Sequence, residues 1–240
     1  MIYLQLKSYI KLRKSLYILM PIIAIILAGC GGKSTGKSEG IITYKVSYPK
    51  MDKKNFMLDF MPKKMVLKFK DNKYKTSLSA GMGMFQTKFI IDPEEHQFSQ
   101  LVKLIDKKYS LTMEGDELTA SINQLPSYTV EPTGETKNIL NYMTNKAIIT
   151  VDNEANDAFT VFYTDRIEIE NPNSTNQFKD IPGVLLEYQY EKYGICMRFN
   201  ATKIEFKEIE DAEFELDKEY LAIPETQMNH EMQEIFDSFK

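Results

Sequence analysis

A chain of 240 residues with 30 Lys+Arg against 34 Asp+Glu has a formal net charge of −4. That balance argues against a nucleic-acid partner, which requires a basic face, and the length is enough to bury a sizeable core. Two cysteines, Cys30 and Cys196, allow one intramolecular disulfide at most.

Residues 1–29 contain Lys7, Lys11, Arg13 and Lys14 but no acid, followed by an apolar run from Leu16 to Ala28 interrupted by Pro21. A basic start, a short apolar run and small residues before Cys30 are the layout of a secretory signal. The run falls short of the roughly 20 residues a comfortable membrane span needs. Leu27-Ala28-Gly29-Cys30 resembles the lipobox of bacterial lipoproteins. That resemblance implies lipidation at Cys30, removal of 1–29, and stable anchoring, since two or more acyl chains hold where one binds only marginally. Lipidation also leaves Cys196 without a disulfide partner. Loss of the four basic residues gives 26 Lys+Arg against 34 Asp+Glu, a net of −8. The membrane link is then the acyl group rather than attraction to anionic headgroups.

Gly31-Gly32-Lys33-Ser34-Thr35-Gly36-Lys37-Ser38 matches the phosphate-loop pattern G-x-x-x-x-G-K-[ST]. That pattern works only between a strand and a helix. Here the β-branched run Ile41-Ile42-Thr43-Tyr44-Lys45-Val46 follows, so no nucleotide is expected, and residues 30–40 read as acylated Cys and flexible tether.

Residues 41–240 show no linker and read as a single β-rich domain of the α+β class, an antiparallel sheet with a short mid-chain helix and a C-terminal helix. Around Asp71-Asn72, Phe69 should face Tyr74, Leu67 Thr76 and Met65 Leu78. A turn at Asp106-Lys107 should set Leu104 against Tyr109, Val102 against Leu111 and Gln100 against Met113. A four-residue loop from Glu191 to Gly194 should set Tyr190 against Ile195, Tyr188 against Met197, Leu186 against Phe199 and Val184 against Ala201. Cys196 would then share the polar face with Glu187, Gln189, Arg198 and Asn200, which weakens the reading of it as a buried small hydrophobe. Further strands are expected at Phe85 to Ile91, His96 to Ile105, Tyr142 to Val151 and Phe159 to Ile167. Asp116 should cap a helix carrying Leu118, Ile122 and Leu125, and Pro224 should open one striped by Met228, Met232, Ile235, Phe236 and Phe239.

The segments Gly40 to Val46, Phe60 to Met65, Phe69 to Tyr74, Phe162 to Asp165, Gly183 to Tyr188 and Met197 to Lys203 resemble uncharacterised Bacteroidota envelope lipoproteins of the domain-of-unknown-function class. By analogy this group implies a LolA/LppX-like fold, a sheet curled into a half-barrel over helices with an apolar inner face for acyl chains. Asn141 to Ala147 departs from the group, replacing a stretch associated there with Gly and Cys, so no Cys-dependent role is expected at that place.

Catalytic chemistry finds little support. His230-Glu231-Met232-Gln233-Glu234 starts like a zinc-binding helix but lacks the second His. His96 follows Glu94-Glu95 in an expected turn, and Asp165-Arg166 reads as a strand-end ion pair. The run Glu208 to Glu213 is explained by solvation. No cofactor, metal or enzymatic activity is expected. Met57, Phe60, Met61, Met82, Met84 and Phe85 cluster Met and Phe beside glycines and are the candidate apolar groove, since Met fills adaptable apolar surfaces. The sequence thus predicts a non-catalytic lipoprotein of a Gram-negative envelope, anchored to the outer membrane and carrying a hydrophobic ligand. The alternative is a structural or interaction lipoprotein that docks an envelope protein.

Overall fold

The computed structural model describes residues 38–152 and 157–237. The signal segment, Cys30, most of the tether and Phe239 lie outside the described residues. The described residues form one compact unit.

The unit is α+β and mainly β. The strands are β1 (Glu39–Ser47), β2 (Lys64–Lys70), β3 (Lys73–Ala80), β4 (Phe85–Asp92), β5 (Gln97–Leu104), β6 (Lys107–Glu114), β7 (Tyr128–Ile139), β8 (Tyr142–Val151), β9 (Ala158–Thr164), β10 (Val184–Lys192), β11 (Ile195–Phe206) and β12 (Leu221–Ala222). Two helices accompany them, α1 (Gly115–Asn123) and α2 (Glu225–Asp237). All strands join one open sheet in the order β12-β6-β5-β4-β3-β2-β1-β11-β10-β9-β8-β7. Every pairing is antiparallel except β12 on β6. Short turns join β2–β3, β3–β4, β4–β5, β5–β6, β7–β8 and β10–β11, longer segments join β1–β2 and β9–β10, and the long-range β1–β11 ladder joins the two halves.

Alternation along the strands sorts side chains to two faces. Ile42, Tyr44, Met65, Phe69, Leu186 and Phe199 are buried on one of them. The hairpin at Asp71-Asn72 has the expected register, Phe69 opposite Tyr74, Leu67 opposite Thr76 and Met65 opposite Leu78. Both turn residues have positive φ, 46° and 69°, as a type I′ turn demands.

The other two hairpins differ from expectation by two residues. The first turns at Ile105-Asp106, so Leu104 lies opposite Lys107, Val102 opposite Tyr109 and Gln100 opposite Leu111. The second turns tightly at Tyr193-Gly194, with φ of 54° and 73°, and sets Tyr190 opposite Met197 and Tyr188 opposite Phe199. Side chains alternate with period two, so a two-residue slip returns each one to its own face and leaves the hydrophobic pattern satisfied. Glycine at a position of positive φ selects the tighter turn. Cys196 is buried after all, opposite Glu191, which is ion-paired to Lys50 of the β1–β2 loop at 2.8 Å.

Asp116 is not the cap of α1. Glu114 occupies the cap position without a side-chain hydrogen bond, and Asp116 and Glu117 lie in the first turn, where the helix dipole favours acids. Leu118 of α1 is buried, as are Met228, Met232, Ile235 and Phe236 of α2. Three features escaped the sequence pattern. β7 is an edge strand with a bulge between Pro132 and Thr136. Residues 165–183 form an irregular segment whose Ile167, Ile169, Phe178 and Ile181 are buried. It is fastened by Asn173, whose Nδ2 donates to the carbonyls of Ile181 and Gly183, each at 2.9 Å. Residues 207–220 lead from β11, the neighbour of β1, to β12 at the far edge.

Candidate functional site

The main cavity, about 450 Å³, is bounded by the inner face of β2–β6, parts of β1, β10 and β11, both helices and residues 172–178. Its size falls within the roughly 300–1,000 Å³ typical of small-molecule sites. The wall is largely aliphatic and aromatic, with Phe85, Phe89, Phe98, Leu111 and Met113 from the sheet and Leu118 and Phe236 from the helices. Strand alternation delivers the sheet residues, and the apolar stripes of the helices face them. Phe89 and Phe98 lie 6.0 Å apart, and Phe85 meets Phe236 edge-on at 6.3 Å. Tyr188 stacks on Phe199 at 4.8 Å and meets Tyr44 edge-on.

Polar groups interrupt this wall, among them Thr76, Thr87 and Gln100 of the sheet and Asn173, Asn176 and Gln177 of the irregular segment. Tyr44 Oη donates to the Leu185 carbonyl at 2.9 Å, and burial raises its pKa well above the ordinary tyrosine value. Burial pushes Tyr74 up to about 12, opposed by the adjacent Ser174 and Thr175. Burial also raises Tyr188 and Tyr190, so these phenols stay neutral at physiological pH. Thr87 Oγ1 is buried with no hydrogen-bond partner among the described residues. The charged lining residues are Lys192 and Glu225. Desolvation lowers the Lys192 pKa, which Glu225 partly opposes, and its ammonium sits 5.1 Å from the Tyr193 ring centre. Ser121 Oγ donates to Glu225 at 2.8 Å and links α1 to α2.

Of the six groove residues read from the sequence, Phe85 lines this cavity and the others do not. Met61 is buried in the core, Met57 is half-buried, and Phe60, Met82 and Met84 are exposed. Strand directions explain their clustering in sequence. The β1–β2, β3–β4 and β5–β6 connections all lie at one end of the sheet, and Ile105 N donates to the Met84 carbonyl at 2.6 Å. Phe56, Phe60, Met82, Met84 and Ile105 therefore form an exposed apolar fringe at that end. The cavity wall itself was hidden in strands that read as ordinary core.

The opposite face carries a second polar arrangement. Glu213, within the charge run read as solvated, accepts from Lys68 at 2.5 Å and also pairs with Lys75. These bonds hold its carboxyl at about 2. Lys75 is largely desolvated, which lowers its pKa more than Glu213 raises it. Lys70 pairs with Asp211 at 2.7 Å and donates to the Ile209 carbonyl at 3.0 Å, while Ile209 N donates to Glu39 at 2.9 Å. Residues 207–220 thus form a strap clamped across β1–β3.

His96, His230 and Cys196 do not line the cavity. Among the described residues, no group of three or more His, Cys, Asp or Glu is placed to hold a metal ion. His230 meets Glu234 at 3.4 Å on an exposed helix face, and His96 lies in the β4–β5 turn. Burial pushes the Cys196 thiol up, away from the reactive thiolate. No helix among the described residues is long and apolar enough to cross a membrane. No protein-family model matches the chain, and no curated protein matches it in sequence.

Proposed function

We propose that this protein is a non-catalytic, lipid-anchored envelope lipoprotein that binds or carries a hydrophobic ligand in the cavity between its sheet and helices. The observation that carries this reading is the cavity itself, about 450 Å³ of largely apolar space roofed by α1, α2 and residues 172–178. Strands from β6 round to β10 contribute to one cavity, and this favours a sheet curled into a half-barrel, of the LolA/LppX-like kind that the resemblance suggests. Cys30 supplies the anchor, in the outer membrane of a Gram-negative cell, and the tether ends before residue 40, because Glu39 and Gly40 already pair with β2 as the start of β1. The groove assignment moves from the Met/Phe clusters to the β3–β6 wall, with Phe85 common to both.

Photo-crosslinking tests the binding reading on the full chain in its own membrane. A diazirine-bearing alkyl probe should label peptides from β4, β5 and α1, and label confined to the apolar fringe would sink the idea. Cys30→Ser should abolish metabolic palmitate labelling and membrane retention, and unchanged labelling would refute the anchor.

The fringe of Phe56, Phe60, Met82, Met84 and Ile105 favours a second reading, a lipoprotein that docks an envelope partner at this end of the sheet. A photoreactive residue in place of Met82 should then crosslink one defined protein in cells. Capture of lipid alone would dismiss this reading.

A further inference from the structure

Resting on the cavity reading, we infer that the ligand carries a neutral hydrogen-bonding group, an ester or amide carbonyl or a hydroxyl, which Thr87 and Gln100 hold against the sheet wall.

Thr87 is 5% exposed and Gln100 7% exposed, and both line the cavity. Thr87 lies opposite Val102 on β5, and Gln100 lies opposite Phe89 on β4. The two are therefore diagonal neighbours on one face, about 7–8 Å apart at the backbone, a span their side chains can bridge towards a shared group. Around them stand Leu78, Phe85, Phe89 and Leu111, with Thr76 beside Leu78 on β3, so this is a small polar patch among apolar side chains.

Thr87 Oγ1 has no hydrogen-bond partner among the described residues. A hydroxyl left unsatisfied at a buried site is costly, whereas valine of the same shape would cost nothing in hydrogen bonds. Gln100 offers both a donor and an acceptor, and the Thr87 hydroxyl can act as either. Together they accommodate a carbonyl or a hydroxyl.

A neutral group suits this place, because Thr87 and Gln100 are themselves uncharged and the charged lining residues stand on other elements. The charged lining residues, Lys192 and Glu225, belong to the β10–β11 hairpin and α2, whereas Thr87 and Gln100 sit on β4 and β5. A carboxylate or phosphate buried among Phe85, Phe89 and Leu111 would lack a counter-ion, an arrangement that proteins avoid. A plain hydrocarbon, in turn, would leave Thr87 unsatisfied. Acyl chains joined through esters or amides, and long-chain alcohols, meet both conditions.

The test is competition against the diazirine probe, using the full chain in phospholipid nanodiscs with each competitor at the same mole fraction. Methyl hexadecanoate and hexadecanol should compete better than hexadecane by about three- to ten-fold, the size expected for one net hydrogen bond. Thr87→Val should remove that advantage while hexadecane competes as before, and Thr87→Ser should keep it. Equal competition by hexadecane and the ester in the unsubstituted protein would overturn the inference and leave the hydrophobic cavity standing. So would an ester preference that survives in Thr87→Val, or hexadecanoate competing best, which would place the head group at Lys192. If no competitor displaces the probe, both the inference and the cavity reading fall. The comparison among competitors needs no variant, so it decides even if Thr87→Val fails to fold.

Discussion

The two faces of the sheet solve different problems with different forces. The inner face is held by contact of apolar side chains, which is not directional, so it can enclose space without losing its shape. The outer face is held by lysines of β2 and β3 clamped to Asp211 and Glu213 of the strap, where geometry and charge both matter. The difference teaches where change is tolerated. A wall of methyls and rings can accept a ligand, whereas a clamp can only be kept or broken.

The largest break should come from the inner face. Phe69 is fully buried and meets Phe206 edge-on at 6.1 Å. Phe69→Ala should destabilise the protein by about 3–5 kcal/mol, read as a lower urea midpoint. Next is Gly183, whose φ of +123° suits glycine, and whose Cβ would stand 2.5 Å from the Thr164 carbonyl oxygen. Gly183→Ala should cost about 1–3 kcal/mol and loosen residues 165–183 in hydrogen exchange.

The outer clamp should respond less and through pH. Glu213 is a third exposed, so solvent screens its pairs, and Glu213→Gln should cost about 1 kcal/mol. For a unit of this size that is a melting temperature lower by about 2–4 °C. Its folded pKa of about 2 lies below the ordinary 4.5, so the unfolded chain binds the proton more readily. The stabilisation is therefore complete above the unfolded value and is lost as pH falls from about 4.5 towards 2. Glu213→Gln should flatten stability across that window, and an unchanged acid limb would show that the clamp contributes nothing. The smallest effect has the opposite sign. Thr87→Val should raise the stability of ligand-free protein by about 0.5–1 kcal/mol, because it removes an unsatisfied hydroxyl.

How much of this was legible depends on what each residue leaves in a linear pattern. Face assignment was readable in β1 and β2, where burial alternates residue by residue, but not at the start of β10 or β11, where Val184 to Leu186 and Ile195 to Met197 are buried in succession. Register was readable only at Asp71-Asn72, where the turn residues announce positive φ. At Ile105 the sequence gives no such signal, since a β-branched residue is rarely found at positive φ, here 55°. Both helices were recognised from their stripes, although the cap of α1 was misplaced. The cavity was not legible, because Phe89, Leu111 and Met113 would look the same in a filled core. Clusters of Met and Phe drew attention to the connections at one end of the sheet, where most of them are exposed or half-buried. The clamp was missed because pairing of Glu213 with Lys68 and Lys75 spans more than 130 residues, and a local charge run carries no trace of distant partners.

β7 ends the open sheet, and the irregularity that hid it has a consequence for the company the protein keeps. An unpaired strand edge is a template on which another chain can add its own strand. Here Pro132 lacks an amide hydrogen to offer, and the bulge before Thr136, with Gly134 at φ +73°, breaks the straight row of donors and acceptors. Glu135 and Lys137 add charges, ion-paired to Lys146 and Glu187. Molecules crowded side by side on one surface would meet edge to edge often, and this strand is shaped to make such meetings unproductive.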